Sequence, residues 1–338
     1  MTRDASLGKT TGTLAAAAAG SLLFLPLAGL DPFLLDVLTT GFLFAVFAGS
    51  WDIVGGVAGQ ISLGHALFFG IATYACAALT TLLGWPFSAA AVAAIVLSGT
   101  AGAAVGVLAA PLKGPFVAVL TLALGEAAHE AVLGNVFLAG PGGYAWGGEG
   151  GIPVSLPWTA GSPLRGYYAA LGFLAAAVWA MLRIRSSREG LILRALEGSE
   201  LTARASGVDV QRHKRRAFAI AAAIAGMAGV AYSAHVGRAT ANDLSLELSF
   251  QAATFAAVGG RGTIVGPVVG AFCLHVLFQG LDTPPGTRIL FYAAVLMVML
   301  RFFPGGVASA LQRLREEAGR GGPRRRAPRD PREGSGGR

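Results

Sequence analysis

Long apolar stretches separated by short polar ones dominate this chain. A helix that crosses a bilayer needs about 20 mainly apolar residues. Ten stretches reach or approach that length: 13–30, 33–54, 61–83, 88–110, 116–138, 167–183, 217–235, 247–260, 264–281 and 288–303. The pattern predicts an all-α membrane protein of about ten transmembrane helices. The first stretch is Ala-rich and follows Arg3 and Lys9, so it reads as a span or as a cleavable export signal. No clean small-x-small cleavage site precedes Asp31, which favours a span. The eighth stretch is short and bordered by glycine.

Composition narrows the class. Of 338 residues 54% are hydrophobic and 13% charged, about half the usual charged share. Too little charge remains to cover a soluble surface, and the chain is too apolar to be disordered. The 49 glycines are about twice the ordinary number and suit closely packed transmembrane helices. Cys76 and Cys273 both fall in apolar stretches and read as inert small hydrophobes.

The net charge of +8 is concentrated in places. Nine of 26 basic residues lie from Arg183 to Arg216, nine more follow Pro304, and two precede the first stretch. Basic loops stay on the cytoplasmic side. Six spans precede the 183–216 loop and four follow it, so both termini and this loop fall on one side. The expected organisation is a cytoplasmic N-terminus over 1–12, a transmembrane region over 13–307 and a disordered basic cytoplasmic tail over 308–338. Within the transmembrane region, 184–213 is the long cytoplasmic loop and 140–166 the long extracytoplasmic one. Tyr144, Trp146 and Trp158 in the latter suit either an aromatic interface belt or a surface that meets a partner. The Arg-rich tail reads as lipid-facing rather than nucleic-acid-binding.

Catalytic signatures are missing. The sequence has no G-x-x-x-x-G-K-[ST] phosphate loop, no H-E-x-x-H, no C-x-x-C and no G-x-S-x-G. Gly259-Gly260-Arg261-Gly262-Thr263 lacks the lysine of a phosphate loop. A transport path is the economical reading, with no catalytic residue, no metal site and no cofactor bound by this chain.

Three segments carry the candidate chemistry. In the run from Gly55 to Gly70, Gln60, Ser62 and His65 place hydrogen-bonding groups among small residues at a helix end. Such a run serves tight helix packing or lines a translocation path. In the fifth stretch Glu126, His129 and Glu130 share one helix face, where lipid exposure would cost several kcal/mol, so Glu126 is expected to turn into the bundle. It would bind a substrate's ammonium group or a neighbouring helix. In the basic loop, 191–197 predicts one short helix that Gly198 breaks. Ser199 caps a second, Glu200 sits at its start, and Gly207 ends it. Leu196, Leu201, Ala203 and Val208 among charges shape this hairpin for a protein partner.

These segments resemble the LivM-type permease subunit of branched-chain amino acid ABC importers. The carrying stretches are GQISLGHALFFGIATYACAAL after the second span, KGPFVAVLTLALGE at 113–126, RALEGSELTARASGVDVQRHKRRAFAIAAAIAGMAGVAYS, VGGRGTIVGPVVGA at 258–271 and FFPGGV at 302–307. The resemblance implies a ten-helix fold similar to the vitamin B12 importer's, in a bacterial inner membrane. It implies an ATPase-coupling loop carrying Arg194, Glu197, Glu200, Ala203 and Gly207, and a substrate path including Gln60, Ser62, His65 and Glu126. The implied partners are a second homologous permease subunit, two ATP-binding subunits that use ATP, and an extracytoplasmic solute-binding protein. Two departures stand out. The coupling motif E-A-A-x-x-x-G becomes Leu201, Thr202 and Ala203 before Gly207, with the acid one place early at Glu200. The outer loop carries an insertion between Gly143 and Gly150. The rival readings are an ion-gradient-driven secondary transporter, for which no inverted repeat is evident, and a membrane scaffold acting through its basic tail.

Overall fold

A computed structural model describes residues 29–134, 151–154 and 162–280, with 22–24, 26, 290, 291, 294, 295, 297, 298 and 301. The expectations for 1–12, for most of 13–30, for most of the 140–166 loop and for the 308–338 tail lie outside the described residues.

Eight long or apolar helices coincide with eight of the ten predicted stretches. They are α1 (Pro32–Asp52), α2 (Ala66–Thr81), α3 (Phe87–Ala109), α4 (Pro115–Leu133), α5 (Pro163–Ser186), α8 (Val210–Val236), α9 (Leu246–Gly259) and α10 (Val265–Gly280). Two short helices, α6 (Arg188–Gly198) and α7 (Glu200–Ala205), fill the basic loop. The described residues of the 288–303 stretch are helical. The architecture is therefore that of an all-α membrane protein. Among the described residues, five segments are long and apolar enough to cross a bilayer: Pro32–Val57, Phe87–Ala109, Pro115–Leu133, Pro163–Ser186 and Val210–Val236.

Boundaries moved where polar residues mislead. Helix α5 begins four residues before the predicted stretch, with Pro163 in its first turn, and continues through Arg183 and Arg185. Arginine keeps its stem on apolar surface while its head reaches water, so hydropathy alone ends such a helix too soon. Helix α8 starts seven residues before its predicted stretch because the Asp209 side chain caps it, accepting from Arg212 N–H.

Most of α1 and α8 is buried, whereas α3, α4 and α5 leave most of their surface uncovered within this chain. Packing depends on small residues. On α3, Gly102 lies so close to α8 that a Cβ there would come within 2.2 Å of the Ala222 Cβ. Ser98 of α3 donates to a carbonyl and lies 2.9 Å from Phe68 O on α2 and 2.8 Å from Ala222 O on α8. On α8, Gly226 abuts Ser98 and Ala72, and Gly229 abuts the Phe69 carbonyl. Gly259 of α9 lies against Gly266 and Gly270 of α10. These glycines are contact points between helices.

At the end away from the basic loop, Ile152–Pro153 (β1) pairs antiparallel with Arg238–Ala239 (β2), just beyond α8. A 3-10 turn, Ala241–Leu244, follows and leads into α9. Helix α9 has 14 residues, roughly 21 Å, too short to cross a hydrocarbon core of about 30 Å by itself.

Candidate functional site

Helix α1 does not end cleanly. Its last residues run into a π-helical turn, Ile53–Val57, and residues 58–65 then leave regular helix before α2 begins at Ala66. Gly59, at φ +67, makes the reversal in a conformation that disfavours a side chain. The predicted span over 61–83 thus has an irregular first part. That part doubles back beside α1: Trp51 Nε1–H donates to the Ser62 carbonyl at 2.7 Å, and the His65 ring reaches Ser50 Oγ at 2.9 Å. On its other side Leu63 N–H donates to Thr121 Oγ1 of α4, and Ala66 N–H to Ser249 Oγ of α9, both at 3.0 Å. Gly64 touches α4 backbone to backbone; a Cβ there would lie 1.8 Å from Thr121 O.

This return segment is polar and enclosed. Gln60, Ser62 and His65 are all buried. The Ser50 hydroxyl donates to Phe47 O at 2.6 Å, so the bond to His65 uses a ring N–H and leaves Nδ1 as an acceptor. His65 Nδ1, Ser62 Oγ and Gln60 Oε1 have no hydrogen-bond partner among the described residues. An unmatched buried polar atom costs about 1–3 kcal/mol, and three within six residues is a concentrated cost.

The loop at the basic end consists of two helices split at Ser199. That side chain accepts from Thr202 N–H and caps α7, while Gly207, at φ +81, follows its end. Leu193, Leu196 and Ala203 point inward, whereas Leu191 and Leu201 are 57% and 77% exposed. Arg194 is exposed, and its Nε–H donates to Gly190 O. Glu197 is exposed, with its Cγ and Cα packed over Gly59. Glu200 turns inward: it pairs with Lys214 at 2.5 Å and accepts from Gln60 Nε2 at 3.3 Å. Lys214 is 1% exposed and also donates to Leu112 O, in the turn between α3 and α4, at 3.2 Å. Glu189, at the start of α6, holds both His213 and Arg216 of α8.

Glu126 lies on the exposed side of α4 within this chain, contrary to the inward orientation expected for it. The neighbouring Gly125 takes the inner side, because only a residue without Cβ lets α4 approach Gly64 so closely. Glu126, about 100° further round the helix, turns outward with Glu130. His129 instead bonds the Ala241 carbonyl through Nδ1 at 2.9 Å. The segment carrying Gln60, Ser62 and His65 is thus joined to the two-helix loop through Gln60 and Glu200, and Glu126 is set apart from it.

Several connecting residues escaped the sequence reading. Asp52, fully buried at the end of α1, accepts Gly262 N–H at 2.6 Å and Ile264 N–H at 2.9 Å, so it caps the approach to α10. Arg185 Nε–H donates to Gly262 O at 2.8 Å and fixes the same turn from α5. An acid at the far end of an apolar run, 16 residues after Asp36, is the signal that marks Asp52. Lys214 stands among Arg212, His213, Arg215 and Arg216, where nothing distinguishes the buried cation from the solvated ones. In the 3-10 turn, burial pushes the Asp243 carboxyl up to about 7, against the lowering effects of its Thr240 hydrogen bonds and of Arg238. Among the described residues no three His, Cys, Asp or Glu side chains gather as a metal-binding group.

Comparison with known proteins sets this geometry in context. Residues 33–300 match the family model described as branched-chain amino acid transport system / permease component. The high-affinity branched-chain amino acid transport system permease protein LivM of Escherichia coli is 24% identical over 299 residues, covering 80% of this chain and 69% of the relative. A probable branched-chain amino acid transport permease protein LivM of Methanocaldococcus jannaschii is 26% identical over 288 residues, 75% of this chain and 80% of that one. The ribose import permease protein RbsC of Escherichia coli is 27% identical over 213 residues, 57% and 60% of the two chains. No solved structure gives a significant match.

Proposed function

This chain belongs to the family of permease components of branched-chain amino acid transport systems, and from that premise we propose that it carries branched-chain amino acids inward as the membrane subunit of an ABC importer. It is a multi-pass transport protein of a non-enzymatic family. The family match over 33–300 carries the proposal. The two-helix loop supports it: Leu191 and Leu201 are exposed where a soluble partner can cover them, while Leu193, Leu196 and Ala203 anchor the loop to the bundle.

In this reading the protein spans the bacterial inner membrane about ten times, with both termini and the 184–213 loop in the cytoplasm. Two ATP-binding subunits dock on the loops, ATP is bound and hydrolysed by them, and a solute-binding protein delivers the amino acid outside. A second permease subunit covers the outward face of α4, because Glu126 and Glu130 are exposed there and a carboxylate facing hydrocarbon is costly. Glu126 then lies at the junction of two permeases, placed to meet an ammonium group. The return segment with Gln60, Ser62 and His65 lines the path, since its unmatched polar atoms suit a passing polar solute or water.

The test is uptake of radiolabelled leucine into proteoliposomes holding the full set of subunits. Uptake stops when the phosphate-loop lysine of the ATP-binding subunit is replaced, and it survives collapse of the proton gradient. Uptake that follows an ion gradient and ignores that replacement overturns the importer reading. Competition by ribose but not by leucine, isoleucine or valine overturns the substrate assignment.

A further inference from the structure

The return segment and the two-helix loop are joined by one largely buried chain of polar contacts. At its centre is Glu200. Oε1 of this carboxylate meets Lys214 Nζ at 2.5 Å and Gln60 Nε2 at 3.3 Å. Lys214 Nζ reaches on to Leu112 O at 3.2 Å. One carboxylate therefore joins α7, the start of α8 and the return segment, and the lysine extends the chain to the turn between α3 and α4. Beside it, Gly59 packs against Glu197 so closely that a Cβ would lie 2.9 Å from Glu197 Cγ and 3.2 Å from its Cα. The return segment touches the loop at two successive residues, Gly59 and Gln60, through two acids on different short helices.

Two properties set this apart from an ordinary surface ion pair. Lys214 is 1% exposed, so its charge depends on Glu200 and on a single carbonyl for compensation. The chain also stops short of full satisfaction: Glu200 Oε2 and Gln60 Oε1 are buried without partners among the described residues. Ser62 Oγ and His65 Nδ1, a few residues further along, share that condition. A buried network that is left incomplete is poised between arrangements, because any shift that admits water or a polar solute gains the missing bonds.

We propose that Glu200 and Lys214 are positioning residues for transport: through Gln60 they hold the 58–65 segment in its closed arrangement, and displacement of the two-helix loop releases it. The loop then acts on the path directly, through the return segment, and not only by tilting α5 and α8, its neighbours in sequence. The released segment presents Gln60, Ser62 and His65 to water or to the amino acid. This deepens, and rests on, the importer reading above.

The experiment uses the complete transporter in proteoliposomes and the permease chain alone in detergent. Lys214→Met removes the charge while nearly preserving volume; Glu200, 18% exposed at its side chain, then turns to water. Gln60→Met leaves the ion pair whole and cuts only its link to the return segment. Both variants assemble with the ATP-binding subunits. Amino acid moved per ATP hydrolysed falls at least tenfold in each. In a background with Cys76 and Cys273 replaced by Ala, Ser62→Cys reacts several-fold faster with a small water-soluble thiol reagent when either variant is present, in the permease alone. An unchanged transport-to-ATP ratio in Gln60→Met, or unchanged labelling at 62 in both variants, overturns the proposal. If Lys214→Met fails to fold, Gln60→Met decides it. Parent complexes that hydrolyse ATP without moving amino acid overturn the importer reading instead, and the labelling comparison still judges by itself whether Glu200, Lys214 and Gln60 hold the 58–65 segment.

Discussion

Asp52 and Ile264 stand 212 residues apart in the chain, and Asp52 Oδ2 accepts the Ile264 N–H at 2.9 Å. Ile264 is the one non-glycine at positive φ among the described residues, +64, a region strongly disfavoured for a β-branched side chain. That conformation persists because the surroundings over-determine it. The carboxylate holds the Gly262 and Ile264 N–H groups, Arg185 holds the Gly262 carbonyl, and the Ile264 side chain is fully buried. A negative group just before α10 also matches the positive end of that helix.

Asp52→Ala leaves two N–H groups without their acceptor, at about 1–3 kcal/mol each. The variant should unfold at a clearly lower temperature in detergent, with Asp52→Asn in between because it keeps one acceptor oxygen. Thermal unfolding followed by light scattering checks the order; an Ala variant as stable as the parent refutes the role given to Asp52.

Leu201 is 77% exposed on α7. Leu201→Asp should reduce co-purification of the ATP-binding subunits at least tenfold without changing the amount of permease in the membrane. Gly207→Val should act more weakly: the position is open, with nothing within 4 Å of a Cβ, so only the strain at φ +81, about 1–2 kcal/mol, opposes it. Substrate-stimulated ATP hydrolysis is the measurement for this second variant, and full stimulation would count against coupling through α7.

Glu126 makes a sharp topographic prediction. With Cys76 and Cys273 replaced by Ala, Glu126→Cys should react readily with a small thiol reagent in the isolated permease and at least tenfold more slowly once the second permease subunit is bound. Quenching of a label at 126 by lipid-borne probes in the assembled transporter would place the residue against lipid and refute the interface.

The Asp243 carboxyl titrates at about 7 in the folded chain against 3.8 for a free side chain. Between these values the native state keeps a proton that the unfolded chain has lost. Stability is therefore fully present below the unfolded value, falls as pH rises through the window and is level above it, at up to about 1.4 kcal/mol per pH unit. Asp243→Asn removes this slope. The parent's advantage over Asp243→Asn in thermal midpoint should shrink from pH 5 to pH 8; a constant difference would show that the group does not titrate there.

The helices were legible because a bilayer-sized apolar run is a strong pattern: Pro32–Asp52, Phe87–Ala109 and Leu246–Gly259 nearly match the stretches read from the residues. The two short helices split at Ser199 were legible too, because capping chemistry is local, although the first begins three residues early, at Arg188 behind a Ser187 cap, and keeps Gly198 within it. What stayed hidden depends on distant partners. Gly55–His65 contains small and polar residues that suit a helix, a turn or an irregular return, and the choice is made by Trp51, Thr121 and Ser249. The outward turn of Glu126 follows from the contact between Gly125 and Gly64, 61 positions apart. Lys214 is buried because Glu200 and Leu112 O await it, and neither composition nor periodicity records that.

Helix α8 has a further consequence. One continuous rod of 27 residues, roughly 40 Å, carries Lys214 near its first turn and hands over at Gly237 to the strand that pairs with Ile152–Pro153. The two ends of the protein thus share a single covalent and hydrogen-bonded body. In the importer proposed above, this body would carry a coupling that is reciprocal: a solute at the far end that tightens binding of the ATP-binding subunit at the basic end tenfold must itself be held tenfold more tightly when that subunit is docked, about 1.4 kcal/mol in either direction.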